Sequence, residues 1–168
     1  MSLDSLNELP RPEAEAEFLK CCGSTKWARA MTNACPFTSE QELFTRADDI
    51  SSSLKDEDWL EAFRAHPKIG EQQAATAQTH QEQKWSAQEQ SGVGGASAAT
   101  VFQLAERNGE YQDRFGFIFI VCASGKSSDE ILAILNSRID NDPQTELRIA
   151  SEEQRKITRL RLEKLLNQ

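Results

Sequence analysis

Residues 142–166 read DPQTELRIASEEQRKITRLRLEKLL, the longest helical pattern in the chain. Asp142 and Pro143 suit a helix start, because the fixed backbone angle of proline favours the first helical turn. At 100° per residue, one stripe along this helix is apolar. Its members are Leu147, Ile149, Ala150, Ile157, Leu160 and Leu165. We therefore predict a long final helix that turns one face toward a core.

Arg161 lies inside that apolar stripe, four residues after Ile157, whereas Arg159 points to the opposite side. A cation at a core-facing position needs a partner, because burying an unpaired charge is costly. The partner could be structural, most simply an acidic side chain. It could equally be a carboxylate or carbonyl of a substrate, to which a guanidinium donates two parallel hydrogen bonds. Both interpretations of Arg161 stay open on the residues alone.

Helix signals dominate the rest of the chain as well. The predicted starts carry residues that favour a first turn or an N-cap: Pro12, Ser24, Ser39, Asp56, Ser97, and Ser127 or Ser128. Ser39 with Glu42 also matches a capping box, in which each side chain bonds the backbone of the other residue.

One stretch differs from this helical background. Residues 115–123 read FGFIFIVCA, a short run rich in aromatic and β-branched residues and bounded by glycines, which predicts extended structure. No second strand is predicted beside it. We therefore predict an all-α fold, a compact single-domain helical bundle over residues 1–168 with one short extended segment near residues 117–123.

Charge and composition exclude several classes of function. The 168 residues include 19 Lys+Arg and 27 Asp+Glu, a formal net charge of −8. This acidity argues against nucleic acid and against an anionic membrane surface as partners. The first twenty residues lack the pattern of a signal peptide, and the apolar run at 115–123 is too short to span a membrane. Four irregularly spaced cysteines predict reduced thiols and a cytoplasmic protein.

The two histidines occupy different settings. His80 lies in a glutamine-rich stretch and is predicted to be a solvated side chain. His66 precedes Pro67, which disfavours the α conformation at His66 and so ends the preceding helix there. A fixed backbone suits a general acid/base. A histidine near a helix C-terminus is equally explained by the helix macrodipole.

Ser86, Glu89 and Gln90 follow one another at helical spacing, so on a helix they share one face. A hydroxyl, a carboxylate and an amide together could bind a heterocycle rich in donors and acceptors. Ser86 and Glu89 also match a capping box, and the residues alone favour that interpretation. No His-x-x-x-His or Cys-x-x-Cys pair indicates a metal site.

Four fragments occur in order along the chain: FRAHPKIG at 63–70, WSAQEQ at 85–90, FGFIFIVCA at 115–123 and KITRLRL at 156–162. Together they resemble the family of 2-oxo-4-hydroxy-4-carboxy-5-ureidoimidazoline (OHCU) decarboxylases of urate breakdown, in particular the bacterial type. Trp27, Pro36 and Phe37 fit the same pattern upstream, so the resemblance covers most of the chain.

The resemblance implies a compact all-α domain, a homodimer, and no metal or organic cofactor. It carries His66 over as the catalytic acid/base, coupled to Glu89. It implies further contacts with a small, anionic, purine-derived substrate. These contacts are Pro67, Ser86, Ala87, Gln88, Gln90, Phe119, Ile120, Val121, Cys122, Ala123 and Arg161.

The activity implied by the resemblance is the decarboxylation of OHCU to (S)-allantoin. No cofactor is needed, because the ring C=N of the substrate accepts the electrons that departing carbon dioxide leaves. Two alternatives stay open. One is a non-catalytic helical protein-interaction domain, in which Arg161 is salt-bridged and Ser86 merely caps a helix. The other is a hydrolase of the preceding pathway intermediate, for which the motifs supply neither a metal nor paired histidines.

Overall fold

The computed structural model describes residues 1–69, 80–92 and 97–167, except for the side chain of His80. Over these residues the prediction of an all-α chain is confirmed, since they contain helices and no strand. The helices are α1 (Leu3–Asn7), α2 (Arg11–Cys21), α3 (Thr25–Ala34), α4 (Glu40–Ser52), α5 (Asp56–Arg64), α6 (His80–Glu89), α7 (Ala98–Phe115), α8 (Ser128–Arg138) and α9 (Pro143–Leu166). None of these described helices has the length and apolar character that crossing a membrane requires.

Two parts of the predicted pattern fall outside the described residues. They are residues 70–79, which hold most of the glutamine-rich stretch before α6, and residues 93–96, which precede the predicted helix start at Ser97.

Serine caps set three helix starts as predicted. Ser24 Oγ accepts the Trp27 N–H at 3.3 Å at the start of α3. Ser97 Oγ accepts the Thr100 N–H at the start of α7. Ser127 and Glu130 form a complete capping box at the start of α8. Each cap satisfies backbone donors that the first helical turn leaves without a partner inside the helix.

Two predicted caps are wrong in detail. Ser39 accepts the Glu42 N–H, but the Glu42 carboxylate reaches one residue further back, to the N–H and hydroxyl of Thr38 at 2.8 and 2.6 Å. The Ser39 box is therefore only half formed. Asp56 is the first residue of α5 rather than its cap, and Asp58 accepts the N–H of the preceding Lys55 at 2.9 Å.

The buried face of α9 also differs from the predicted stripe. Ala150, Ile157 and Leu165 are buried as predicted, but Leu147, Ile149 and Leu160 are only half-buried. Their places on the buried face are taken by Glu146, Ser151, Gln154, Thr158 and Leu162. Hydrophobic periodicity missed these positions because most of them are polar.

The described chain divides into two compact units. The first contains Met1–Ala62 together with α9 from Gln154 onward. Within it α3 packs against α2 and α4. The Trp27 ring meets Phe18 edge-on, with centroids 6.1 Å apart, and its indole N–H donates to the Ala47 carbonyl and the Ser51 hydroxyl. A fully buried indole is thereby also satisfied as a polar group.

The second unit spans Phe63–Glu153 and contains all but one of the predicted site residues. Its α7 packs against α8 and ends at Gly116, whose φ of 78° lies in the left-handed region that glycine tolerates best. From that turn the chain enters residues 117–123, which form neither helix nor strand. The ring of Tyr111, completely buried, packs against Phe117 and Phe119 at 5.8 and 5.3 Å between centroids.

Candidate active site

Residues 119–123, called here the 119–123 segment, are the buried non-helical part of the second unit. Each of the five residues exposes less than a tenth of its surface. A helix satisfies its own backbone, but a buried non-helical stretch must find other partners for its N–H and C=O groups. The hydrogen bonds of this segment therefore decide how it is held.

Three charged side chains supply those partners. Arg138 Nη1 donates to the carbonyl of Ile120 at 2.8 Å. The N–H of Cys122 donates to Glu153 Oε2 at 2.8 Å. Lys126 Nζ donates to the carbonyl of Cys122 at 2.9 Å. Hydrogen bonds to charged groups are stronger than neutral ones, so the segment is held at defined main-chain positions.

Arg138 is itself fixed by a buried network. It forms an ion pair with Glu146 at 2.5 Å, and both side chains are almost inaccessible to water. Tyr111 donates to the same carboxylate at 2.5 Å, and Asn141 donates to its other oxygen at 3.1 Å. The guanidinium lies over the Phe119 ring, 4.7 Å from its centroid. Burial and the neighbouring carboxylate raise the pKa of Tyr111 well above its ordinary value.

The polar residues predicted to share one helix face lie in the last turn of α6 and just after it. Ser86 and Glu89 are buried and Gln90 is half-buried, whereas the side chains of Ala87 and Gln88 are exposed on the other side of the helix. Ser86 lies well inside α6, which starts at His80, so it cannot cap this helix. The capping-box interpretation is wrong. The predicted catalytic role of Glu89 and the predicted substrate contacts of the other four residues stay predictions.

Two observations bring the end of α6 close to the 119–123 segment. The pKa of the Cys122 thiol is raised, chiefly by burial, and the charge of Glu89 adds to the effect. After α6, a side chain at Gly92 would overlap the main-chain carbonyl of Lys126. The close approach requires glycine at that position. The chain after α6 therefore lies against the loop that follows the segment.

His66 follows α5 in the predicted turn. Its N–H donates to the Phe63 carbonyl at 3.2 Å, and both His66 and Pro67 are half-buried. Two residues beyond Pro67, the carbonyl of buried Ile69 accepts a hydrogen bond from Asn108 of α7 at 3.2 Å. The turn that carries the imidazole is thus anchored on both sides. The catalytic role of His66 stays a prediction.

Arg161 belongs to the first unit, and its predicted core-facing position is confirmed by an exposure of 4%. Its Nη1 donates to the main-chain carbonyl of Lys20 at 3.2 Å. One of its partners is therefore structural, namely a main-chain carbonyl. The guanidinium also opposes the effect of burial, which raises the pKa of Cys22 to about 11. A contact between Arg161 and substrate stays a prediction.

All four cysteines, Cys21, Cys22, Cys35 and Cys122, are free thiols. Within the described ranges, no group of three or more His, Cys, Asp or Glu side chains is arranged to hold a metal ion.

Sequence reasoning missed the side chains that hold the 119–123 segment. Arg138 was detectable, because it follows buried Ile131 and Leu135 by seven and three residues and so shares their face of α8. Glu153 carries no such signal. Its contact with Cys122 joins residues 31 apart in sequence and depends on the tertiary fold.

The fold and the site together define an all-α protein with a candidate small-molecule site. A turn-fixed histidine, a polar face of α6 and a buried main-chain segment all lie in its second unit. The family model of OHCU decarboxylase matches residues 7–163. The chain belongs to the OHCU decarboxylase family, and the resemblance found in the sequence is confirmed.

Individual relatives are consistent with this membership. The chain is 39% identical to the uric acid degradation bifunctional protein TTL of Arabidopsis thaliana, over 91% of this chain and 47% of that protein. It is 30% identical to the OHCU decarboxylase of Amia calva, over 83% and 79% of the two chains. A crystal structure of OHCU decarboxylase in the presence of (S)-allantoin matches with a TM-score of 0.78 and 40% identity, over 90% of this chain and 98% of that chain.

The matched proteins differ in length. The chain spans about half of the Arabidopsis protein, at 47%, and 33% of a bifunctional uric acid degradation protein from Bacillus sp. strain TB-90.

Proposed function

We propose that the chain is a carboxy-lyase that converts OHCU to (S)-allantoin without a cofactor. The observation that carries the proposal is the likeness, over nearly the whole of both chains, to the OHCU decarboxylase solved in the presence of (S)-allantoin.

The reaction balances without an added electron acceptor. The bond from the ring carbon to the carboxylate breaks, and its electron pair forms a C=C bond to the neighbouring ring carbon. The electron pair of the ring C=N moves onto its nitrogen, which takes up a proton. The resulting enol loses its hydroxyl proton and becomes a carbonyl. The adjacent carbon, which bears the ureido group, then takes up a proton on one face, and this step sets the (S) configuration.

In this proposal His66 moves the hydroxyl proton and delivers the stereospecific one. Its place in an anchored turn supports the role, because acid/base catalysis depends on a fixed distance to the proton. Glu89 is coupled to His66 and stands near the departing carboxylate. Repulsion between the two carboxylates raises the energy of the bound substrate and favours loss of carbon dioxide. The backbone of the 119–123 segment binds the substrate.

The activity is tested by forming OHCU in situ from urate, with an oxidase and a hydrolase, and following circular dichroism. We expect rapid appearance of one allantoin enantiomer when the protein is added. Spontaneous decay gives a racemic product and no lasting signal. An unchanged racemic decay would overturn the proposal and favour the protein-interaction domain.

The role of His66 is tested in the same assay with His66→Asn, which we expect to lower kcat by about 10²–10⁴-fold, the usual contribution of a positioned acid/base. The matched control is His80→Asn, the same change at the other histidine of the chain. Near-normal turnover of His66→Asn would contradict the assignment. A thermal transition like that of the wild type shows that the variant is folded.

A further inference from the structure

The hydrogen bonds of the 119–123 segment also determine where its remaining main-chain groups point. The described peptide bonds here are trans, and a trans peptide is planar, so the C=O of one residue and the N–H of the next point in opposite directions. The Ile120 carbonyl faces Arg138, and the Val121 N–H therefore points away from Arg138. The Cys122 N–H faces Glu153, and the Val121 carbonyl therefore points away from Glu153.

The next peptide follows the same rule. The Cys122 carbonyl faces Lys126, so the N–H of Ala123 points away from it. The three charged side chains thus bind the Ile120 carbonyl, the Cys122 N–H and the Cys122 carbonyl. The main-chain groups on the other side of each peptide point away from these side chains. The N–H and C=O of Val121 form an adjacent donor and acceptor, which complement an N–H beside a C=O in a ring amide or ureido group.

The three side chains differ in what else they do. Arg138 is part of the buried network with Glu146 and Tyr111, so removing it also disturbs the core. Lys126 is only four residues from Cys122, and its bond closes a local turn. Glu153 is half-buried and lies on α9, so its bond connects a rigid helix to the segment. Glu153 is the informative residue to change.

We propose that Glu153 is a positioning residue for substrate recognition: by accepting the Cys122 N–H, it fixes the direction in which the Val121 carbonyl meets the ligand. The inference rests on the proposed function, because it takes an allantoin-like ring as the ligand. Glu153 acts through the main chain of the segment and makes no contact with the reacting atoms. Loss of its acceptor frees the peptide to rotate, so the ligand must then order it on binding.

The test compares Glu153→Ala, which removes the acceptor, with Glu153→Gln, whose amide oxygen still accepts. Glu152→Ala is the matched control at the neighbouring, exposed position of the same helix. The dissociation constants for (S)-allantoin and (R)-allantoin are measured by calorimetry, and kcat and KM are measured with OHCU formed in situ.

For Glu153→Ala we expect KM and the (S)-allantoin dissociation constant to rise about tenfold, as for loss of one hydrogen bond to a charged group. We expect kcat to change less than about threefold and the preference for (S) over (R) to shrink. Glu153→Gln restores both affinity and preference to near the wild-type values, and Glu152→Ala behaves as wild type.

Several outcomes would overturn the proposal. Wild-type affinity in Glu153→Ala shows that the bond does not position the ligand, and tighter binding shows that Glu153 competes with it. Equal losses of affinity in Glu153→Ala and Glu153→Gln show that the charge of Glu153 matters and not its ability to accept a hydrogen bond. Glu153 has a purely structural role if Glu153→Ala melts at a lower temperature and contains less active protein while its preference for (S)- over (R)-allantoin is unchanged. A wild-type protein that neither binds (S)-allantoin nor accelerates its formation overturns the proposed function itself.

Discussion

Glu89 is a carboxylate on the buried face of α6, with 9% of its surface exposed. Keeping a charge out of water costs free energy, and proteins retain such groups where they are paired or where they take part in chemistry. The charge of Glu89 contributes to the raised pKa of Cys122, and the close approach of Gly92 to Lys126 brings the end of α6 to the loop after the 119–123 segment. A buried carboxylate at that place suits both parts of the proposed mechanism, which are proton transfer with His66 and repulsion of a departing carboxylate.

Glu89→Gln separates charge from shape, because glutamine has nearly the same size and still offers an oxygen acceptor. We expect kcat for OHCU decarboxylation to fall by about 10²-fold or more, the scale of a lost acid/base partner, with little change in melting temperature. Steady-state kinetics with substrate formed in situ measures the effect.

The matched control for Glu89 is Glu106→Gln, the same substitution at an exposed carboxylate of α7. It should leave kcat unchanged. If Glu89→Gln turned over as fast as Glu106→Gln, then Glu89 would have no part in the chemistry, and its burial would need a structural explanation.

For individual residues, the sequence predicted whether a side chain is buried better than it predicted which atoms that side chain contacts. The buried orientation of Arg161 followed from its place in an apolar stripe and is confirmed. Ser86 and Glu89 matched a short capping pattern that two residues satisfy easily, and only the position of Ser86 inside α6 excludes it. The bond from Glu153 to Cys122 has no local signature, because both partners are brought together by tertiary folding.

Among the elements of the second unit, two ion pairs of similar length differ in burial. Arg138 and Glu146, at 2.5 Å, are 6% and 0% exposed, whereas Arg107 and Glu110, at 2.6 Å on the surface of α7, are 42% and 49% exposed. Water screens the exposed pair, and neither partner needs the other for solvation. In the buried pair, each charge depends on the other, because no solvent replaces a missing partner.

Arg138→Met should therefore destabilise the protein by about 3–5 kcal/mol, the cost of leaving a buried carboxylate without its cation. Arg107→Met, which breaks the exposed pair, should cost no more than about 1 kcal/mol. Urea denaturation followed by circular dichroism gives both free energies of unfolding.

A double variant tests the cause of the Arg138 effect. Replacing Glu146 by Gln in the Arg138→Met background removes the unpaired charge, so part of the lost stability should return. If the double variant were no more stable than Arg138→Met, the loss would come from packing around Phe119 and Tyr111.

Several helix starts were predictable because local signals set them, whereas the start of α6 was not. The serine caps at Ser24, Ser97 and Ser127 and the proline start of α9 lie where the sequence predicted. The short helix α1 was missed, since five residues give too little periodicity to recognise. The buried polar residues of α9 were also missed, because hydrophobic patterning detects only apolar burial.

For the whole molecule, the net charge of −8 describes its surface and says little about its site. Many acidic residues stand in the first turns of helices, where the partial positive charge of the helix end favours them. The groups that hold the 119–123 segment include two buried or half-buried cations, Arg138 and Lys126. Local placement, and not the global balance, thus sets the charge around this segment.

The buried thiols of Cys21 and Cys22 make global stability depend on alkaline pH. Burial raises the pKa of Cys22 from 9.0 to about 11 and that of Cys21 well above 9.0. Above pH 9 the unfolded chain releases these protons and the folded chain keeps them, so the free energy of unfolding falls with rising pH. The slope is about 1.4 kcal/mol per pH unit for each thiol. The contribution of the two protonated thiols to the free energy of unfolding is therefore complete below pH 9 and decreases as the pH rises toward 11.

Melting temperatures measured by circular dichroism between pH 7 and pH 11, in the presence of a reductant, should stay level to about pH 9 and then fall. The variant Cys21→Ala/Cys22→Ala melts lower at pH 7, because small cavities replace the thiols, but its curve should fall less between pH 9 and pH 10. That interval lies below the ordinary pKa of Tyr111, 10.0, whose own raised pKa affects both proteins at higher pH. Cys35→Ala, at a half-buried thiol, is the control and should follow the wild type more closely. Parallel curves for the wild type and the double variant would show that thiol ionisation does not govern the alkaline transition.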